Sequence, residues 1–149
     1  MMKPTEKALQ YFSSDYNCAQ AVLSAVTEDN EQKLNQIPHI AAAFGGGIIG
    51  RGEICGAVSG ALMAIGVLNG RIYTDIIEQK AKTKEDSEKF YEEFEKIFGH
   101  NTCNGLIGID RRDPVARQQA VDAGLYKKNC PKFVEEAVRI VFEIFKDRI

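Results

Sequence analysis

Four cysteines are the residues of this chain with the most distinctive chemistry: Cys18, Cys55, Cys103 and Cys130. A thiolate is both a nucleophile and a metal ligand, so four of them suit thiol redox chemistry or metal binding. No two are separated by only two residues, and the spacing therefore gives neither a zinc ribbon nor a thioredoxin motif. A free cysteine also serves as a small buried hydrophobe, which is the alternative for each of them.

The four cysteines share a position at or near the start of a predicted helix. These starts are marked by a capping Asn17, by the end of a glycine-rich loop, by the Gly99 helix stop and by Pro131 after the last cysteine. Free N–H groups and the positive end of the helix dipole favour a thiolate at such positions. We expect at least three of the four sulfurs to lie in one site.

Cys55 is the predicted nucleophile among the four. It follows the glycine-rich loop, it precedes Gly56 at a helix start, and Arg51 lies close in sequence. Cys18 instead lies on an apolar helix stripe, where burial raises a thiol pKa, so we expect Cys55 to react first. The loop and its neighbours supply the candidate cofactor-binding residues, which are Gly45, Gly46, Gly47, Arg51 and Gly56.

Three other local patterns near the cysteines are weaker evidence of function than the cysteines themselves. Residues 45–50 match G-x-G-x-x-G but lack a preceding strand and a downstream acidic residue, so dinucleotide binding is not expected. His100 is a candidate base for Cys103, although a histidine just past a helix end also simply meets the dipole. Arg111 and Arg112 are interpreted as a solvated turn.

The hydrophobic pattern is helical along most of the chain. Pro4 and Asp113 mark further helix starts, residues 27–36 predict a helix end and a loop, and residues 76–98 an outer amphipathic helix. Residues 57–68 form an apolar helix whose small face suits close packing and consists of Gly56, Gly60 and Ala64. The pattern predicts an all-α bundle of about six to eight helices around this central helix.

The length and the net charge of the chain limit the classes of protein to which it can belong. The 149 residues, 44% of them hydrophobic, predict one domain over residues 1–149. The formal net charge of −2 excludes the basic field that nucleic acid or an anionic membrane requires. We find no signal peptide and no apolar run long enough to span a membrane, and we expect a cytoplasmic protein.

The cysteine motifs are those of a known family. Residues 45–66 read GGGIIGRGEICGAVSGALMAIG, residues 17–22 read NCAQAV, and two cysteines follow downstream. The chain resembles the C_GCAxxG_C_C family of redox-active proteins over nearly its whole length. The resemblance places the family's four cysteines at Cys18, Cys55, Cys103 and Cys130, and its Gly-Ala-x-x-Gly core at Gly56, Ala57 and Gly60.

The resemblance also implies a cofactor, because a related module occurs with an iron–sulfur centre in a multihaem cytochrome of anaerobes. An iron–sulfur cluster or another thiolate-bound metal is therefore expected to use the same four cysteines. The chain has no C-x-x-C-H, so it does not attach c-type haem.

Two classes of function follow from these patterns. The first is a redox protein that exchanges electrons with a redox partner, either by dithiol/disulfide exchange or through an iron–sulfur cluster. If such a protein is an enzyme, it is a thiol-dependent oxidoreductase. The second is a non-catalytic, metal-stabilised or plain helical binding module. In either class the wide apolar stripe of the last helix suggests a homodimer contact, through Phe133, Ile140 and Phe142.

Overall fold

The computed structural model describes residues 1–28 and 36–149, and this part of the chain is helical. A short 3₁₀ helix, His39–Phe44, follows the second α-helix. The seven α-helices of the described residues are α1 Pro4–Ser13, α2 Cys18–Thr27, α3 Gly56–Ile72, α4 Ile76–Phe98, α5 Cys103–Ile107, α6 Pro114–Asp122 and α7 Leu125–Phe145. The predicted all-α bundle is confirmed. The predicted loop after Thr27 lies mostly in residues 29–35, outside the described residues.

Local capping explains most helix boundaries. The Asn17 side chain accepts a hydrogen bond from the backbone N–H of Gln20 at 2.8 Å, and the Gln20 side chain accepts one in return from the Asn17 N–H at 3.0 Å. Asp113 accepts from the first turn of α6 in the same way, and Gly99 ends α4 in the left-handed conformation at φ 80°. These three predicted boundaries are confirmed.

Helix α3 lies at the centre of the bundle and packs against α2, α4 and α7. Most of its residues are buried, including Ala57, Ala61 and Ile65, which are fully enclosed. Its predicted small face brings α2 close, since a Cβ at Gly60 would lie 2.5 Å from the carbonyl oxygen of Ala19. Gly56 and Gly60 therefore let the end of α2 that carries Cys18 approach the end of α3 that follows Cys55.

The predicted start of the last helix at Cys130 and Pro131 is wrong. Helix α7 begins at Leu125, directly after Gly124 in the left-handed conformation, and Pro131 lies inside it. An internal proline costs about 3 kcal/mol because it removes a helix hydrogen bond, but side chains buried along α7 outweigh that cost. Cys130 thus lies in the second turn of a helix, away from the free N–H groups of a helix start.

The broad apolar stripe of α7 is used within the chain. Phe133 and Ile140 are 7% and 2% exposed, and the Phe133 ring lies 5.0 Å from the ring of Phe98 and 6.4 Å from that of Phe94. The stripe is wide because α7 packs against α1, α2, α3 and α4 at once. Phe133 and Ile140 are therefore used within the chain, whereas Phe142 is half-buried and a dimer contact through it stays a prediction. Within residues 1–28 and 36–149, no helix combines the length and apolarity needed to cross a bilayer.

Candidate functional site

All four cysteines line one cavity of about 300 Å³, which we call the cysteine cavity. Cys18 is the first residue of α2, Cys55 directly precedes α3, and Cys103 is the first residue of α5, whereas Cys130 comes from α7. All four are free thiols. Three helix starts and one helix side therefore meet at the same place, although the cysteines are far apart in sequence.

A short backbone bridge joins the segments that carry Cys55 and Cys103. Ile54 and Thr102 form an isolated antiparallel bridge. The Cys55 N–H donates to the carbonyl of Asn101 at 2.8 Å, and the Cys103 N–H donates to the carbonyl of Glu53 at 2.7 Å. Because side chains alternate along an extended segment, Cys55 and Cys103 lie on the same face of this bridge. Sequence reasoning missed it because two paired residues leave no strand pattern.

The sulfur of Cys18 lies against the start of α3. A Cβ at Gly56 would overlap the Cys18 Sγ and would also lie 3.1 Å from the backbone nitrogen of Ala19. Position 56 must therefore be glycine, because the Cys18 sulfur faces it. This contact places Cys18 at the end of α3 that directly follows Cys55.

Burial opposes ionisation of three of the thiols. It raises the pKa of Cys55 far above its ordinary value, the charge of Cys18 raises it further, and the nearby N–H groups of Ala57 and Val58 lower it only in part. Burial likewise raises the pKa of Cys130 to about 12 and raises the pKa of Cys103. Burial therefore works against the predicted activation of Cys55, which is 6% exposed and whose pKa is raised despite its position at a helix start.

Cys18 acts electrostatically on each of the other three thiols. Its negative charge is among the causes that raise the pKa of Cys55, of Cys103 and of Cys130. A negative charge on Cys18 thus makes ionisation of the other three thiols harder. Cys18 and Cys130 are half-buried, whereas Cys55 and Cys103 are buried.

Arg111 is one of two arginines that line the cysteine cavity, and it is the one that acts on Cys103. Its Nε donates to the carbonyl of Gly50 at 3.2 Å, its guanidinium lies 4.8 Å above the centre of the Tyr126 ring, and its charge lowers the pKa of Cys103 against the effect of burial. Arg51, the sequence candidate, is exposed and does not line the cavity. Reading Arg111 as a solvated charge is wrong, since it is half-buried, whereas its neighbour Arg112 is exposed.

The glycine-rich loop wraps around this arginine. Gly46 and Gly47 have φ values of 62° and 72°. A Cβ at Gly46 would lie 2.9 Å from the Arg111 Cζ, and one at Gly47 would lie 2.5 Å from the backbone nitrogen of Glu53. Of the candidate cofactor-binding glycines, Gly46 and Gly56 line the cavity, while Gly45 packs against Asn17 and Gly47 is buried in the turn.

Asn104 connects the loop to the arginine. Its backbone N–H donates to the carbonyl of Gly52 at 3.0 Å, and its side-chain oxygen accepts from the backbone N–H of Arg111 at 2.8 Å. Sequence reasoning did not identify this residue, and a lone asparagine after a cysteine carries no signal for it. His100, the candidate base, is exposed, packs against Gly105 and is not among the cavity-lining residues.

The fit of a metal or iron–sulfur cluster can be tested on these side chains. Over residues 1–28 and 36–149, no three Cys, His, Asp or Glu side chains are grouped as metal ligands. In this arrangement the four cysteines share a cavity but do not form a ligand set.

Comparison with known proteins agrees with the cysteine pattern. The family described as "Putative redox-active protein (C_GCAxxG_C_C)" matches residues 16–144. An uncharacterised protein of Archaeoglobus fulgidus is 25% identical over 157 aligned residues, which cover 98% of this chain and 95% of that protein. No solved structure gives a significant match. The matched range contains all four cysteines.

Proposed function

The chain belongs to the C_GCAxxG_C_C family of redox-active proteins, and we propose that it works by dithiol/disulfide exchange among its four cysteines. The observation that carries this proposal is the cavity in which four free thiols meet and in which Cys18 acts on the other three. A reducing compartment such as the cytoplasm keeps these thiols free until they meet an oxidised partner.

Cys18 is the attacking thiol in this proposal. It is half-buried, and it begins α2, where the helix dipole favours negative charge. The three other thiols are held protonated by burial and by the Cys18 charge itself. A single thiolate next to protonated thiols is the starting state for exchange, because the attacking and resolving groups are then different residues.

Cys55 is the resolving thiol because Cys18 lies against the Gly56 that follows it. The Cys18 thiolate attacks one sulfur of a partner disulfide, forming a mixed disulfide and releasing the other sulfur as a thiolate. Cys55 then gives up its proton and attacks the Cys18 sulfur, so that a Cys18–Cys55 disulfide forms and the second partner sulfur leaves. Cys18 and Cys55 together lose two electrons and the partner disulfide is reduced to two thiols. One of these thiols takes the Cys55 proton, and the other takes a proton from solvent, which replaces the one that Cys18 lost on ionising.

Cys103 and Cys130 provide a second dithiol on the same cavity. The charge of Cys103 is among the causes that raise the pKa of Cys130, so the two thiols are within electrostatic reach of each other and of Cys18. A disulfide held by Cys18 can therefore pass to this pair by a second exchange. In this role Cys18 is the residue through which both dithiols communicate.

The test follows the thiols through one oxidation. The fully reduced, metal-free protein is mixed anaerobically with one equivalent of hydroxyethyl disulfide, quenched with an alkylating reagent and mapped by mass spectrometry. We expect a Cys18–Cys55 disulfide in the wild type, a stable mixed disulfide on Cys18 in Cys55→Ser, and no reaction at this pair in Cys18→Ser. A wild type that remains fully reduced overturns the proposal and favours the non-catalytic binding module.

The same preparation also tests the iron–sulfur alternative. We expect anaerobically purified protein to be colourless and to contain less than one metal ion per chain. Stoichiometric iron and acid-labile sulfide, lost together in Cys18→Ser, would instead assign the cysteines to a cluster and overturn dithiol exchange as the function. Circular dichroism of each variant separates these outcomes from failure to fold.

A further inference from the structure

The cysteine cavity combines an apolar wall with few polar groups. Besides the thiols, it is lined by carbon-rich side chains from α1, α5, α6 and α7, which are Phe12, Leu106, Ile107, Val121 and Phe133. The charged residues that line it are both arginines, Arg111 and Arg117. A neutral apolar molecule would leave these cations unused, whereas a molecule with one anionic group and a short carbon chain matches both features.

Arg111 is fixed in place but has no acidic partner. The Gly50 carbonyl and the Tyr126 ring hold its guanidinium, and its backbone N–H is held by Asn104. Among the described residues, no carboxylate forms an ion pair with Arg111, while the adjacent Arg112 does pair with Asp110. A positioned guanidinium without a counter-ion, at the edge of an apolar cavity, is a suitable donor for a ligand carboxylate.

Tyr126 adds a hydroxyl group on the same wall. Its hydroxyl oxygen is buried and has no hydrogen-bond partner among the described residues, although the ring lies beneath Arg111 and lines the cavity. A buried hydroxyl without a partner is costly, and a ligand oxygen bound here would remove that cost. Arg111 and Tyr126 thus offer a guanidinium without an acidic partner and a hydroxyl without a hydrogen-bond partner on the same wall, among the described residues.

The cavity also has an opening suited to a small molecule. Arg117 and Val121 of α6 line it and are exposed, so the cavity reaches the surface beside this helix. A volume of about 300 Å³ admits a molecule the size of a small disulfide. The positive charge of Arg117 at the opening attracts an approaching anion.

We propose that the substrate is a low-molecular-weight disulfide bearing a carboxylate, bound through the carboxylate by Arg111 and Tyr126 with its sulfurs towards Cys18. This inference rests on the proposed dithiol exchange and names the oxidant of that reaction. The carboxylate stays on Arg111 while the disulfide bond breaks, the two sulfurs leave as thiols, and Cys18 and Cys55 lose two electrons to form their own disulfide. Arg111 and Tyr126 are binding residues in this scheme and take no part in electron transfer.

The test compares three disulfides of similar size and different charge: dithiodipropionate, which is anionic, hydroxyethyl disulfide, which is neutral, and cystamine, which is cationic. Stopped-flow or quenched alkylation gives the oxidation rate of the reduced wild type with each. We expect dithiodipropionate to react about tenfold faster than hydroxyethyl disulfide, because a charge-assisted hydrogen bond stabilises its binding by about that factor. We expect cystamine to react more slowly than both.

Matched variants then show which residues cause the preference for the anionic disulfide. In Arg111→Gln the ratio of the anionic to the neutral rate is expected to fall about tenfold, and in Tyr126→Phe the concentration of dithiodipropionate needed for half-maximal rate is expected to rise. Arg112→Gln is the control, because it removes the same charge from the next residue outside the cavity, and its ratio is expected to match the wild type.

The outcomes separate this inference from the proposed function. If all three disulfides oxidise the wild type at equal rates, or if Arg112→Gln loses the preference as fully as Arg111→Gln, the carboxylate site is wrong while dithiol exchange stands. If none of the three oxidises the protein, dithiol exchange itself fails. A protein disulfide that reacts much faster than dithiodipropionate would also overturn the small-molecule assignment.

Discussion

The sulfur of Cys18 rests against Gly56, the residue that follows Cys55, and no other residue type fits between them. A side chain at position 56 would occupy the space of the Cys18 Sγ, so the glycine of the Cys-Gly-Ala core is explained by a sulfur from another helix. This contact joins the first two cysteines of the family pattern in space, although one begins α2 and the other precedes α3.

The first prediction concerns that contact. Gly56→Ala is expected to lower the free energy of unfolding by about 1–3 kcal/mol through overpacking and to slow formation of the Cys18–Cys55 disulfide. Gly66→Ala is the control, because nothing lies within 4 Å of a Cβ there, and it is expected to raise stability by about 0.5–1 kcal/mol. Urea denaturation and quenched alkylation measure the two effects. Equal behaviour of the two variants would contradict the close contact.

The order in which the reduced thiols react is a second prediction. Iodoacetamide at neutral pH is expected to label Cys18 before Cys55, since Cys55 is buried and its pKa is raised far above the ordinary value. Mass mapping at short times gives the order, and labelling in urea is the control, because unfolding removes the difference. Cys55 labelled first in the folded protein would restore the nucleophile role that its sequence position suggests.

A third prediction distinguishes the two candidate cations. Arg111 lowers the pKa of Cys103, so Arg111→Gln is expected to move the pH midpoint for Cys103 alkylation upward and to slow the reaction at any pH below that midpoint. Arg51→Gln is expected to leave the midpoint unchanged, because Arg51 is exposed outside the cavity. A shift in Arg51→Gln alone would contradict the assignment of Arg111.

The fourth prediction tests the position of Pro131 inside α7. Pro131→Ala restores a backbone N–H in the helix interior and is expected to raise the free energy of unfolding by about 1–2 kcal/mol, after allowing for the greater freedom of the unfolded chain. Pro114→Ala, at the first position of α6, is the matched control and is expected to be neutral or destabilising. Thermal or urea unfolding measures both. Two variants with the same effect would place Pro131 at a helix start.

Much of the fold could be predicted from local patterns. The caps at Asn17 and Asp113 and the stop at Gly99 are local hydrogen-bonding and conformational effects, and each lies where its residue type indicates. The start of α7 could not be predicted in the same way. Pro131 is typical of a first turn, and only burial of side chains along the whole of α7 overrides that preference.

The sequence by itself determined the helical class, the central glycine-rich helix and the identity of the four cysteines, because periodicity, capping and composition are written in neighbouring residues. The tertiary structure decided which thiols are buried and which arginine lies near Cys103. Arg51 is close to Cys55 in sequence but exposed, whereas Arg111 is brought to the cavity by Asn104 and the glycine loop. Burial also opposes the expected reactivity of Cys55, since the desolvation of a thiolate depends on every element packed around it and has a larger effect on the Cys55 pKa than the N–H groups of the helix start.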